Sequence, residues 1–250
     1  MRCNDFFVIV FLGTNGCGKT ILANKLANSF KIPYVNIDQI GKQHFSRIND
    51  YNEKMALSAK LADRKSNEML AKQQSFIIEL ALSNPKDLEF LRKVKVSGAK
   101  LVTIFVLTRD IEINISRVAK RVTEGGHYVP EYKIRERYPK CFADMALAIE
   151  TSNLCFVYDN SCIYKIIAVK REPQKFEVIC NVDDIREDNW LNIKIIKPLK
   201  VNNQIFFSST VEVSNDNNLF NKLFTLLSYH IKDLKNQMHL KATIYSEYEV

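Results

Sequence analysis

Residues Gly13-Thr14-Asn15-Gly16-Cys17-Gly18-Lys19-Thr20 satisfy the pattern G-x-x-x-x-G-K-[ST] at each of its fixed positions. They follow an unbroken apolar run, Phe6–Leu12, and precede a segment with Leu22, Leu26 and Phe30 at helical spacing. Strand, glycine-rich loop and helix in that order have a physical purpose. Glycines let successive backbone N–H groups converge on a phosphate, and the positive end of the following helix adds to their pull. Within such a loop Lys19 is placed to reach the β- and γ-phosphates and Thr20 to ligate Mg²⁺, so ATP and Mg²⁺ are the expected ligands. A glycine-rich turn carrying a surface lysine is the plainer alternative, and the flanking strand and helix argue against it. Cys17 is read as a small residue tolerated in the loop, with a redox switch as the other reading.

The rest of the chain repeats the alternation. Tyr34–Ile37 reads as a short strand ending at Asp38, and Tyr51–Gln74, rich in Ala, Leu, Lys and Glu, as a long helix. Ser75–Leu80 is the next strand, and Asn84 with Pro85 starts a helix that stops at Gly98. Leu101–Leu107 is a buried strand; Ile111, Ile115, Val118 and Val122 mark a helix closed by Gly125-Gly126. A further helix begins at Pro130 and is interrupted by Pro139, and Leu154–Tyr158 is the last strand of the series. This predicts an α/β fold of the P-loop NTPase type, three-layered about a parallel sheet, occupying residues 1–165. Residues 166–250 are expected to form a small α+β extension. Ile163–Val169 and Lys175–Cys180 flank Glu172-Pro173 as a hairpin, Leu191–Ile196 and Ile205–Val213 read as strands, and Leu219–His239 as an amphipathic helix.

Charge narrows the partner. The net charge is +8 over 250 residues, which by itself would suit a polyanion. Residues 1–161 hold 24 basic against 17 acidic side chains, a net of +7, so the excess lies with the loop. No Lys/Arg block or aromatic-basic ribbon accompanies it, which favours a phosphorylated small molecule over nucleic acid. The six cysteines form no C-x-x-C pair, so reduced thiols are expected rather than a zinc site or disulfides. The longest apolar run falls far short of the ~20 residues that span a bilayer. A cytoplasmic protein without membrane association is the expectation.

A phosphate loop alone names no reaction. The N-K-x-D base-reading motif of GTPases and an L-S-G-G-Q-like transporter segment are both missing, leaving a compact phosphotransferase or an ATPase. Ligands of an open parallel sheet gather at the carboxyl ends of its strands, where Asp38 and Glu79 are expected. Asp38 is the candidate general base for a hydroxyl acceptor, with a helix cap or outer Mg²⁺ ligand as alternatives. Glu79 is either a contact to the acceptor hydroxyl or a structural or metal-side carboxylate. Arg117 and Arg121 lie one helical turn apart, and Gly125-Gly126-His127 leads on to Arg135 and Arg137. The cluster reads as a lid over the phosphates, the alternative being a solvated face paired with Glu124, Glu131 and Glu136.

These segments together resemble the zeta-toxin family of P-loop kinases and its predicted-ATPase relatives over about residues 5–165. The resemblance rests on the loop, on Val35-Asn36-Ile37-Asp38, on residues 76–83 and on the R-V-x-x-R-V-x-x-G-G-H-x-V-P stretch from Arg117 to Pro130. Ile134 to Pro139 and Tyr158-Asp159-Asn160-Ser161 complete it. It implies a kinase that moves the ATP γ-phosphate to a sugar hydroxyl, that of UDP-N-acetylglucosamine in studied members, and a possible antitoxin partner. By position, Asp38 resembles the family's base, Glu79 its substrate-contacting glutamate, Lys19 and Thr20 its loop lysine and magnesium hydroxyl, and Arg117 and Arg121 its phosphate-stabilising arginines. His127 and Arg137 are taken as substrate-binding candidates, and Asp159 and Asn160 as part of the loop near the adenine. The usual E-T-T-L-S reads Glu79-Leu80-Ala81-Leu82-Ser83, without either threonine hydroxyl. A reading from another class is an ATP-binding regulatory protein that docks a partner through its C-terminal segment.

Overall fold

A computed structural model of the chain describes residues 6–172, 175–179, 189–197 and 205–208. The chain divides into Met1–Val211 and Glu212–Val250, and the second unit, with the whole of the expected helix 219–239, lies outside the described residues. The first strand, β1 (Phe7–Leu12), is buried on both faces from Val8 to Leu12, which is why it reads as a continuous apolar run. It pairs in parallel with β3 (Phe76–Leu80) on one side and β4 (Lys100–Leu107) on the other. Beyond β3 lies β2 (Tyr34–Val35), and beyond β4 lies β5 (Leu154–Asp159), both parallel. The order β2-β3-β1-β4-β5 places both neighbours of β1 out of chain sequence, so β1 marks the point where the winding reverses and a ligand crevice opens at its carboxyl end.

Helices connect these strands: α1 (Lys19–Phe30), α2 (Ile37–His44), α3 (Tyr51–Ala71), α4 (Pro85–Val96), α5 (Ile111–Thr123), α6 (Glu131–Ala143) and α7 (Met145–Thr151). Their starts follow local chemistry. Asn84 accepts from Lys86 N with Pro85 at the first helical position, Asp50 accepts from Glu53 N and Asp110 from Glu112 N. The core packs Val8, Val10, Leu12, Phe76, Ile78 and Phe105 of the sheet against Leu91 and Val94 of α4 and Ala148 and Ile149 of α7.

Three local expectations are corrected. The strand expected to run to Ile37 ends at Val35, because the Asn36 side chain accepts from Gln39 N and starts α2 at Ile37. Asp38 thus lies in the first turn of a helix, where the amide dipoles favour its charge. Pro139 lies inside α6 without ending it; Ile134, Tyr138 and Cys141 are buried on either side, and Tyr138 Oη donates to Thr108 O at 2.6 Å. The expected strand 191–196 is instead a helical turn, Asn192–Ile196, initiated by Asn189, whose side chain accepts from Leu191 N.

The hairpin is present as β6 (Lys165–Glu172) and β7 (Lys175–Ile179). β6 is antiparallel to β5, β7 antiparallel to β6, and β8 (Ile205–Ser208) parallel to β7, continuing the same sheet. In β6, Lys170 is buried and its ammonium donates to Ile149 O, Glu150 O and Ser152 O at the end of α7, neutralising the helix's negative pole. No described helix is long and apolar enough to cross a membrane. Leu91, fully buried between α4 and the sheet, tests the core: Leu91→Ala is expected to cost about 2–5 kcal/mol in urea unfolding.

Candidate active site

The phosphate loop leaves β1 at Gly13 and enters α1 at Lys19. Its glycines are required by contact as much as by backbone angle. Gly13 has φ 140° and a Cβ there would lie 2.2 Å from the Val106 carbonyl oxygen; Gly18 has φ 104° and a Cβ would meet Asn160 Nδ2 and Tyr164 Oη. Distant side chains therefore come close, and they bond the loop's carbonyls. Asn114 of α5, fully buried, donates to Thr14 Oγ1 and Asn15 O, both at 2.8 Å, and accepts from Thr108 Oγ1 at 2.5 Å. Asn160 donates to Cys17 O at 2.7 Å and Tyr164 to Gly18 O at 2.9 Å. Arg137 donates to Asn15 Oδ1 at 2.8 Å.

Lys19 Nζ donates to Gly13 O at 2.5 Å and Thr14 O at 3.1 Å, folded along the loop it serves. Thr20 Oγ1 donates to Glu79 Oε2 at 3.0 Å, and Tyr34 donates to the other oxygen, Glu79 Oε1. Asn36 Nδ2 donates in turn to Tyr34 Oη at 2.8 Å. Burial and the charge of Glu79 raise the Tyr34 phenol well above its usual range, so it remains a donor to that carboxylate. A hydrogen-bonded chain thus runs from Asn36, the cap of the helix that carries Asp38, through Tyr34 and Glu79 to Thr20.

The arginines divide. Arg117 donates to Asn160 O at 2.8 Å and Ser161 O at 3.2 Å, bracing the turn in which Asp159 accepts from Ser161 N. Arg121 Nη2 donates to His127 O at 2.8 Å, and Gly126 packs so closely that a Cβ would lie 2.4 Å from Arg121 Cγ. The reversal at Gly125, φ 77°, returns the chain to place His127 Nε2 3.5 Å from Asp38 Oδ1. Arg135 faces away, bonded to Glu112 and Glu131. Asp38, Glu79, Lys19, Thr20, Arg121, His127 and Arg137 are thereby linked to one another or to the loop, while Arg135 alone among the four arginines keeps to a solvated face.

Sequence reasoning passes over Asn114, Tyr34, Asn36, Tyr51, Thr108 and Tyr164. A signal existed only for Asn36, as a helix cap. Cys17 is 1% exposed, and burial pushes its thiol up against the opposing charge of Lys19, so it is not a reactive thiolate. The donor set at Thr20 and Glu79 consists of hard oxygens, which suits Mg²⁺. Among the described residues no group of three or more His, Cys, Asp or Glu could hold a metal ion by itself.

The zeta toxin family model matches residues 7–172. An uncharacterized protein of Haemophilus influenzae is 28% identical over 134 residues, covering 52% of this chain and 91% of that one. Among solved structures, the AvrRxo1-ORF1:-ORF2 complex with ATP is 16% identical, with a TM-score of 0.58 over 85% of this chain and 66% of that one. The PezAT chromosomal toxin-antitoxin system of Streptococcus pneumoniae is 13% identical, with a TM-score of 0.54 over 89% and 85%. At these identities the structures share the fold.

Two outcomes follow from the loop's supports. Asn114→Ala strands buried Thr14 and Thr108 and the half-buried Asn15 carbonyl, and is expected to lower stability by about 1–3 kcal/mol and weaken ATP binding, read by urea unfolding and calorimetry. Iodoacetamide at neutral pH is expected to label exposed Cys162 well before Cys17 in peptide mass spectrometry.

Proposed function

The chain belongs to the zeta toxin family, and on that premise we propose that it is an ATP-dependent phosphotransferase acting on a hydroxyl of a small molecule. The acceptor proposed is a nucleotide sugar of the UDP-N-acetylglucosamine type. The observation that carries this reading is the chain Asn36–Tyr34–Glu79–Thr20, which ties the helix bearing Asp38 to the residue at the mouth of the phosphate loop.

In this reading Gly13–Thr20 holds the triphosphate, and Lys19 exchanges Gly13 O and Thr14 O for phosphate oxygens. Thr20, backed by Glu79, would hold Mg²⁺, which when bound neutralises charge on the β- and γ-phosphates. Asp38 takes the proton of the acceptor hydroxyl as its oxygen bonds to the γ-phosphorus and ADP departs with the bridging electrons. Arg121 and Arg137 supply cationic charge on the acceptor side, and Arg117 holds the Asp159-Asn160-Ser161 turn, proposed to lie near the adenine. The PezAT system, by its description a toxin with its antitoxin, also motivates a neutralising protein partner here.

With labelled ATP and UDP-N-acetylglucosamine, the wild-type chain is expected to yield a phosphorylated nucleotide sugar by mass spectrometry. Lys19→Ala is expected to lose ATP binding and transfer together. Asp38→Asn should keep ATP binding and lose at least about 10²-fold in transfer; full transfer in that variant would remove Asp38 as base.

A further inference from the structure

Four buried side-chain polar atoms among the described residues make no hydrogen bond: Tyr51 Oη, Arg121 Nε, His127 Nε2 and Tyr158 Oη. The first three belong to one group. His127 stacks on Tyr51 with ring centroids 6.1 Å apart and planes 22° from parallel, Arg121 holds the His127 carbonyl, and His127 Nε2 lies 3.5 Å from Asp38 Oδ1. Leaving a buried polar atom unpaired is costly, and here it lies beside the carboxylate read as the general base.

We propose that His127 is a positioning residue for Asp38: its neutral imidazole directs Nε2–H at Oδ1, fixing the carboxylate so that Oδ2 is the oxygen left to take the acceptor proton. The inference rests on the reading of Asp38 as base. It goes beyond the expectation that His127 binds substrate, since the imidazole here meets the acceptor through Asp38.

Three features of the site carry it. The first is that the ring stacks on Tyr51 while Arg121 holds the residue's backbone carbonyl, which limits where the imidazole can lie. The separation of 3.5 Å is only a few tenths of an ångström beyond a formed bond, a gap that a small rotation of the Asp38 side chain can close. Asp38 is held at the backbone by a capped helix turn, while its carboxylate is 30% exposed and free to rotate unless a donor holds it. Burial and the charges facing the imidazole decide its protonation. Burial holds it below the ordinary histidine range; Asp38 on α2 opposes this, and Arg121 on α5, Lys42 on α2 and Lys54 on α3 add to it. Tyr51, which completes the wall, is itself kept un-ionised by burial, near Arg137 of α6. With burial the largest influence the neutral ring is favoured, and it carries a single N–H. A neutral ring can orient a carboxylate without competing for the proton that the carboxylate has to collect.

Two measurements on the full chain test the inference. In ¹⁵N-edited NMR without ligand, the chain's four histidines are compared and His127 is assigned by its loss in His127→Gln. His127 is expected to be neutral at pH 7 with hydrogen on Nε2, and Asp38→Asn, which removes the group that favours its charged form, should shift its titration to still lower pH. Hydrogen on Nδ1, or a resonance indifferent to Asp38→Asn, would overturn the inference. In transfer to UDP-N-acetylglucosamine, His127→Ala is expected to lower kcat by about 10- to 100-fold with KM for ATP unchanged. His127→Gln, which keeps an N–H, should recover much of the loss. A rise in acceptor KM with kcat unchanged would make His127 a substrate contact and sink the inference while leaving Asp38 as base. Active Asp38→Asn would instead sink the base reading. If this acceptor is not used, the NMR arm decides alone.

Discussion

A glycine-rich turn must dispose of carbonyl groups that its own amides cannot reach, and between Gly13 and Gly18 that demand falls on side chains from far away. Asn114 takes Asn15 O, Asn160 takes Cys17 O and Tyr164 takes Gly18 O. Each of these donors sits on a different segment, so satisfying the loop fixes where α5, the end of β5 and the start of β6 can lie. The glycines make this possible, since a side chain at Gly13 or Gly18 would occupy the space that Val106, Asn160 and Tyr164 fill. The loop's carbonyls are thus held by the protein itself, which reduces the ordering that binding has to supply.

The same bonds explain what could be read from residues in a row. The loop, the strand before it and the helix after it are local patterns, and so are the Asn84-Pro85 start and the Gly125-Gly126 stop. Asn114 and Thr14 are 100 residues apart, Cys17 and Asn160 143, Gly18 and Tyr164 146. A single Asn or Tyr carries no periodicity to announce such a partner. Short apolar runs failed for a different reason. Val35-Asn36-Ile37 and Leu191–Ile196 suit strand and helix equally by pattern, and the choice was made by one side-chain cap in each case, Asn36 and Asn189.

The arginines show how far helix geometry alone can be taken. Arg117 and Arg121 share a face because they are four apart, and both reach backbone carbonyls of the site's rim. Arg135 and Arg137 are two apart on α6 and so point in nearly opposite directions, one into an exposed ion-pair cluster and the other to Asn15. Counting arginines locates a basic region; only the 3.6-residue period sorts which of them face the loop.

The direction of β6 sets where the molecule can accept change. Strands β1 to β5 all end at the rim that holds the phosphate loop, and β6 leaves that rim, having tied Tyr164 to Gly18 at its start. Glu172 therefore lies at the opposite rim, a strand's length from the loop, and β7 begins there on its way back. For an engineer this gives the fold two unequal ends. Segments spliced between Asp159 and Lys165 would pull on the loop through Asn160 and Tyr164, whereas a tag or fluorophore spliced between Glu172 and Lys175 would stand a strand's length from the nucleotide chemistry.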